Sequence, residues 1–181
     1  MEQRITVGVV YGGRSTEHEI SCVSAGAIMS HLDTAKYDVV PIGITRDGMW
    51  VRGESDYPQL RIIDGRLPEV TPGGEVALSL DPAKRGHLVD LDSGELIARL
   101  DVLFPVLHGP FGEDGTIQGM LELVGLPYVG AGVLASACGM DKEFTKKLAA
   151  AEGLPITAEL ILRGDESDIP DAEKQRLGLP V

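Results

Sequence analysis

Apolar and polar positions alternate between two rhythms along this chain. Ile5 to Val10 is a short β-branched run with little alternation, which predicts a strand buried on both faces, as in a parallel sheet covered by helices. Ile20, Val23, Ala27, Ile28 and Leu32 then recur at helical spacing and predict one apolar stripe. Val39 to Ile44 is a second buried run, so the first 44 residues predict a βαβ unit with a right-handed crossover. Asp47-Gly48, set between apolar residues, predicts a hairpin turn.

The stretch from 53 to 97 is weakly patterned. Its turn signals ("TPGGE", "LDSGE") and short apolar runs ("EVALSL", "HLVDL") predict a variable, surface-side insertion of hairpins covering one side. Regular patterning resumes with "DVLFPVLHG", a third buried strand. A helix follows, with Ile117, Met120, Leu121 and Val124 on one face and Gly125 as its stop. "GLPYVG" predicts a short fourth strand, "GVLASACGM" a short helix, and "MDKEFTKKLAAAEG" an amphipathic one ending at Gly153. "TAELILR" has the composition of a strand, and "RGDESDIPDAEKQRLG" reads as a loop or a poor helix. The fold class is therefore α/β: a mainly parallel sheet with helices on both faces, plus the hairpin insertion.

Composition narrows the function classes. With 181 residues, the chain is one domain, or one domain and the beginning of another. Sixteen basic residues against 28 acidic ones give a net charge of −12, which repels phosphate backbones and anionic lipid. No basic patch offsets it, so neither nucleic acid nor membrane is expected as a partner. No apolar run approaches the length of a membrane span, and no charged n-region precedes one. Cys22 and Cys138 have no metal-like spacing. Cys22 is expected on the apolar side of the first helix, a reduced core thiol of a cytoplasmic protein.

Candidate chemistry lies in two loops. In a parallel sheet all strands point their C-terminal ends to one edge, where ligands bind. "YGGRSTEHE" follows the first strand and "HGPFGEDG" the third, so both are expected at that edge. The first is neither a phosphate-binding P-loop nor a dinucleotide fingerprint. Thr16 and Glu19 fit a capping box, which accounts for Glu19. For Glu17 two readings stand: a solvated first-turn charge, or a carboxylate holding a substrate ammonium. His18 is read as a solvated neighbour. In the second loop, three glycines and Pro110 shape a backbone that can leave room for a ligand, while Asp114 or Thr116 caps the next helix. "GEDG" lacks the ligand spacing of a calcium loop. His108 either holds its loop or faces a ligand.

"GGRSTEHEIS", "PVLHGPFGEDGTIQGMLELVGLPYVGAGVLASACGMDK" and the closing "GLPV" together resemble the D-alanine–D-alanine ligase family of ATP-grasp enzymes. The resemblance covers the chain apart from about 53–97. It implies a Rossmann-like, pre-ATP-grasp N-terminal domain over 1–137 and the beginning of a central ATP-grasp domain over 138–181. It also implies the chemistry: ATP phosphorylates one D-alanine carboxylate, and a second D-alanine attacks the acyl phosphate to give the dipeptide used in peptidoglycan synthesis. By the same resemblance, Glu17 holds the first D-alanine ammonium, Ile20 and Ser21 line that subsite, and His108 lies near the same substrate. Lys142 reaches ATP phosphates, although its bland alternative is a first-turn lysine on a solvated face. ATP and Mg2+ (or Mn2+) are bound mainly by family residues downstream of Val181, so the chain alone is expected neither to ligate nor to hydrolyse ATP. A homodimer is expected by family analogy. Ligases joining D-alanine to D-lactate or D-serine, and a non-catalytic amino-acid-binding or dimerisation module, are the competing readings.

Overall fold

The computed structural model describes residues 3–165 and 168–178. Residues 1–137 form one compact unit and residues 138–181 a second.

The first unit is built on a four-stranded sheet. Strand β1 (Ile5–Gly12) lies at its centre, paired in parallel with β2 (Tyr37–Ile44) on one side and β7 (Val102–Pro105) on the other. Strand β3 (Trp50–Arg52) turns back antiparallel on β2 through the Asp47-Gly48 turn, giving the order β3-β2-β1-β7. The expected fourth strand in "GLPYVG" shrinks to one parallel bridge, Leu103 to Tyr128. Val7, Val9 and Val10 are buried, as a doubly covered central strand requires.

Helix α1 (His18–His31) covers one face of this sheet and α2 (Thr116–Val124) the other. The two faces have separate cores. Cys22, Ala25 and Met29 of α1 pack with Val7, Val9 and Tyr11, whereas Ile117, Leu121 and Val124 of α2 pack with Val10, Ile42 and Leu103. Helix α2 thus carries the expected apolar face, and a left-handed Gly125 ends it.

Helix α1 departs from its expected stripe. Ile20 is 49% exposed and Ala27 is exposed, and the buried face is His18, Ser21, Cys22, Ala25, Gly26 and Met29. Small side chains let the helix approach closely: a Cβ on Gly26 would stand 2.5 Å from the Leu60 carbonyl oxygen. Met29 stays on the buried face, while Ile20 is displaced to an exposed flank.

The insertion contains a second sheet, antiparallel, of β4 (Val76–Leu78), β5 (His87–Asp90) and β6 (Leu96–Arg99). It is more than a surface addition, because Val76, Leu78 and Leu88 are buried in the α2-side core.

In the second unit, α3 (Val133–Met140) runs across the division between the units, and α4 (Lys142–Ala151) and α5 (Asp171–Leu177) follow. "TAELILR" forms no strand: among the described residues no other strand pairs with it, and extended backbone without a ladder has no regular structure to join. The charged segment after it resolves into the short α5. Of "GLPV", Leu179 to Val181 lie outside the described residues. No described helix is long and apolar enough to cross a membrane.

Candidate functional site

Strand β1 ends in a turn that only glycine fits. Gly12 has φ +88°, and a Cβ there would stand 2.3 Å from the Ile44 carbonyl oxygen. The Gly13 N–H donates to that same oxygen at 2.8 Å, so the loop leaves the strand while held against the end of β2. Ser21 secures the turn from α1. Its hydroxyl donates to the Val106 carbonyl and accepts the Gly12 N–H at 2.8 Å. One buried side chain thus fastens the ends of β1 and β7 to the helix.

The expected capping box does not form. Helix α1 starts at His18 with Glu17 at the N-cap position and no side-chain cap, while the Glu17 N–H donates to Ser15 Oγ at 3.0 Å. Glu19 turns outward to the Arg46 guanidinium. Its own backbone N–H and that guanidinium hold its carboxyl below the ordinary range. His18 is fully buried rather than solvated: both ring nitrogens find backbone partners, so the ring completes the floor of the turn.

The second loop arrives at the same rim. A Cβ on Gly109 would stand 3.1 Å from Ser15 Oγ and 3.3 Å from Glu17 Oε2, so the two loops touch. The Gly109 N–H donates to Glu113 Oε2 at 2.6 Å. Asp114 accepts the Phe111 N–H at 2.9 Å and the Thr116 N–H at 3.0 Å, shaping the loop and receiving the first amide of α2. Phe111 has φ +68°, a left-handed conformation unusual for a large side chain, and its ring lies 5.5 Å from the Arg14 guanidinium carbon.

Between the loops lies a cavity of about 220 Å³. Its wall is mostly apolar, from Trp50, Leu107, Phe111 and Met120 among others, with Arg14, Ser15, His108 and Thr116 among its polar residues. This is the usual make-up of a small-molecule site. Among the described residues, His108 Nε2 is buried with no hydrogen-bond partner. Buried polar atoms are normally satisfied, and the residue that carries this orphan nitrogen lines the cavity.

Of the residues singled out by sequence, His108 lines the cavity, whereas Glu17 is not among its lining residues and stands exposed beside Gly109. Ile20 and Ser21 do not line it, and Ser21 is fully buried as a clamp. Lys142 is exposed at the first position of α4, in the second unit. Arg14, Trp50 and Phe111 were not anticipated. Arg14 follows directly on the glycine pair at a strand end, and Phe111 is the bulky residue within a glycine-rich loop; those positions were the available signals.

Residues 6–131 match the family described as D-ala D-ala ligase N-terminus. The D-alanine–D-alanine ligase of Corynebacterium diphtheriae is 61% identical over 178 residues, covering 98% of this chain and 48% of that protein. The solved structure of the D-alanine–D-alanine ligase from Coxiella burnetii superposes with TM-score 0.77 at 32% identity, over 97% of this chain and 50% of that one. That of the Bacillus anthracis D-alanine–D-alanine ligase complexed with ATP gives 0.63 at 27%, over 99% and 45%. A mostly parallel sheet covered by helices on both faces, with loops meeting at its strand ends, is the architecture of the Rossmann-like α/β class. The chain belongs to the D-alanine–D-alanine ligase family, as its N-terminal part, and it spans about half the length of the curated relatives it matches.

Proposed function

We propose that the chain is the substrate-side portion of an ATP-dependent ligase that joins two D-alanines for peptidoglycan synthesis in the cytoplasm. The observation that carries this is the rim itself. The Glu17 carboxylate and the unpartnered His108 nitrogen belong to two loops that touch at Ser15 and Gly109, over a cavity sized for a small molecule. In this reading Glu17 receives the ammonium of the first D-alanine through a charge-assisted hydrogen bond. His108 Nε2 meets a polar atom of the same substrate, and Ile20 borders the ammonium end. Ser21 acts indirectly by holding Gly12. The chain's contribution to the reaction is orientation: it fixes the first substrate so that its carboxylate is presented for activation.

Lys142 is assigned to ATP phosphates, as a cation at the start of α4. ATP supplies the phosphoryl group of an acyl phosphate. Among the described residues no three His, Cys, Asp or Glu side chains converge to hold an ion. In this reading Mg2+ or Mn2+ is bound mainly by the part of the ligase outside this chain. In this reading the assembled ligase is a homodimer.

The test is a titration of the 15N-labelled chain with D-alanine, followed by amide shifts. The expected result is a joint response of Gly13, Ser15, Glu17, His108 and Gly109, weakened about tenfold or more in Glu17→Gln. Propionate, which lacks the ammonium, is expected not to reproduce it. Equal responses from the parent chain and E17Q, or shifts confined to other regions, would remove the Glu17 assignment.

A further inference from the structure

His18 has no role in the chemistry above, yet it is among the most completely buried polar residues. Its Nδ1 lies 2.8 Å from the Gly13 carbonyl oxygen and its Nε2 3.0 Å from the Val70 backbone nitrogen. A carbonyl can only accept and an amide N–H can only donate. Nδ1 must therefore carry the hydrogen and Nε2 must be bare, which selects one tautomer of the neutral ring. The two partners belong to different parts of the molecule. Gly13 lines the cavity, whereas Val70 lies in the long insertion. The Val70 side chain fills space that two glycines leave open: a Cβ on Gly12 would stand 2.8 Å from one Val70 methyl, and one on Gly43 2.6 Å from the other.

We propose that His18 is a positioning residue through which the insertion sets the wall of the substrate pocket. The connection runs from the Val70 N–H through the imidazole to the Gly13 carbonyl. It fixes the glycine turn and the start of α1, where Glu17 immediately precedes His18. The pocket is thus completed by a segment remote in sequence. The inference rests on the reading of this rim as a substrate site.

Nuclear magnetic resonance on the 15N-labelled chain tests it. In the parent chain the imidazole nitrogen shifts are expected to report the Nδ1–H tautomer, with a scalar coupling across the N–H···N bond between Val70 and His18 Nε2. Val70→Pro removes that donor, together with the Val70 methyls packed beside Gly12 and Gly43. It is expected to bring the ring into tautomer exchange and to shift the amides of Gly13, Ser15 and Glu17. His18→Asn keeps a donor near the Gly13 carbonyl but no acceptor for Val70. In that background V70P is expected to move the three amides much less than in the parent chain, the remainder coming from the Val70 methyls packed beside Gly12 and Gly43. The opposite tautomer, absence of the coupling, or equal V70P shifts in both backgrounds would overturn the proposal. If V70P fails to fold, the tautomer and the coupling in the parent chain decide. None of these readouts uses D-alanine, so their failure leaves the Glu17 reading standing, and a failed E17Q titration leaves this connection standing.

Discussion

Ser21 shows how a residue near a site can matter without touching a ligand. Its hydroxyl is the partner of one buried donor, the Gly12 N–H, and of one acceptor, the Val106 carbonyl. Ser21→Ala leaves both groups without that partner, and the loss is about 2–4 kcal/mol. On a chain of this size a fall in thermal midpoint on the order of 5–10 °C is expected in a melting experiment. An unchanged midpoint would mean that the hydroxyl is not the clamp. Only the family resemblance singled out Ser21, as lining the subsite, because a serine one helical turn from a glutamate can equally face solvent or core. His18 was misread for the same reason. Its burial depends on Val70, 52 positions away, and no local pattern announces such a partner.

Strands β1, β2 and β7 were legible as elements because short apolar runs bounded by turn signals have few alternatives, and α2 because its apolar residues keep one helical phase. The buried face of α1 was not, since periodicity weights large apolar side chains and this helix is packed by small ones. Gly26→Ala tests that account. Alanine improves intrinsic helix propensity by about 1 kcal/mol, but its Cβ would press on the Leu60 carbonyl, and overpacking of this kind costs about 1–3 kcal/mol. Net destabilisation in denaturant unfolding is expected; a stabilised variant would contradict the close approach. The "TAELILR" strand failed because a strand needs a neighbour that the sequence pattern cannot supply. In the small antiparallel sheet, Asp90 closes the turn after β5. Its carboxylate accepts the Ser93 N–H at 2.9 Å and the Arg52 guanidinium at 2.8 Å, tying this sheet to β3. The Ser93 N–H first, then Arg52, hold its carboxyl down at about 2, against an ordinary value of 3.8. Because the folded value is depressed, the stability it gives is present above about pH 4 and is lost as pH falls towards 2. Asp90→Asn is expected to have a smaller acid-induced drop in melting temperature over that window than the parent chain. Identical acid profiles would refute the linkage.

At the scale of the molecule, the sequence indicated that two loops would leave a parallel sheet at one edge. It could not indicate that they would touch, nor that Arg14 and Phe111 would lie together over the cavity. Contact depends on the turn Gly12 makes against Ile44 and Val70, both distant in sequence, together with the loop that Asp114 shapes locally. The convergence of these loops is the central claim, and disulfide trapping tests it most directly. A Cβ at position 109 would lie 3.1 Å from the Ser15 side-chain oxygen, close to the separation between a Cβ and the far sulfur of a disulfide, about 3 Å. Of the native thiols, Cys22 is buried, and burial first, then the nearby Glu19 charge, push its thiol up to about 12, so it does not compete; Cys138 is removed as Cys138→Ser. In that background, mild oxidation of the folded Ser15→Cys, Gly109→Cys chain is expected to give a 15–109 disulfide on peptide mapping. A folded chain in which both new thiols stay free, or pair with other partners, would contradict the account.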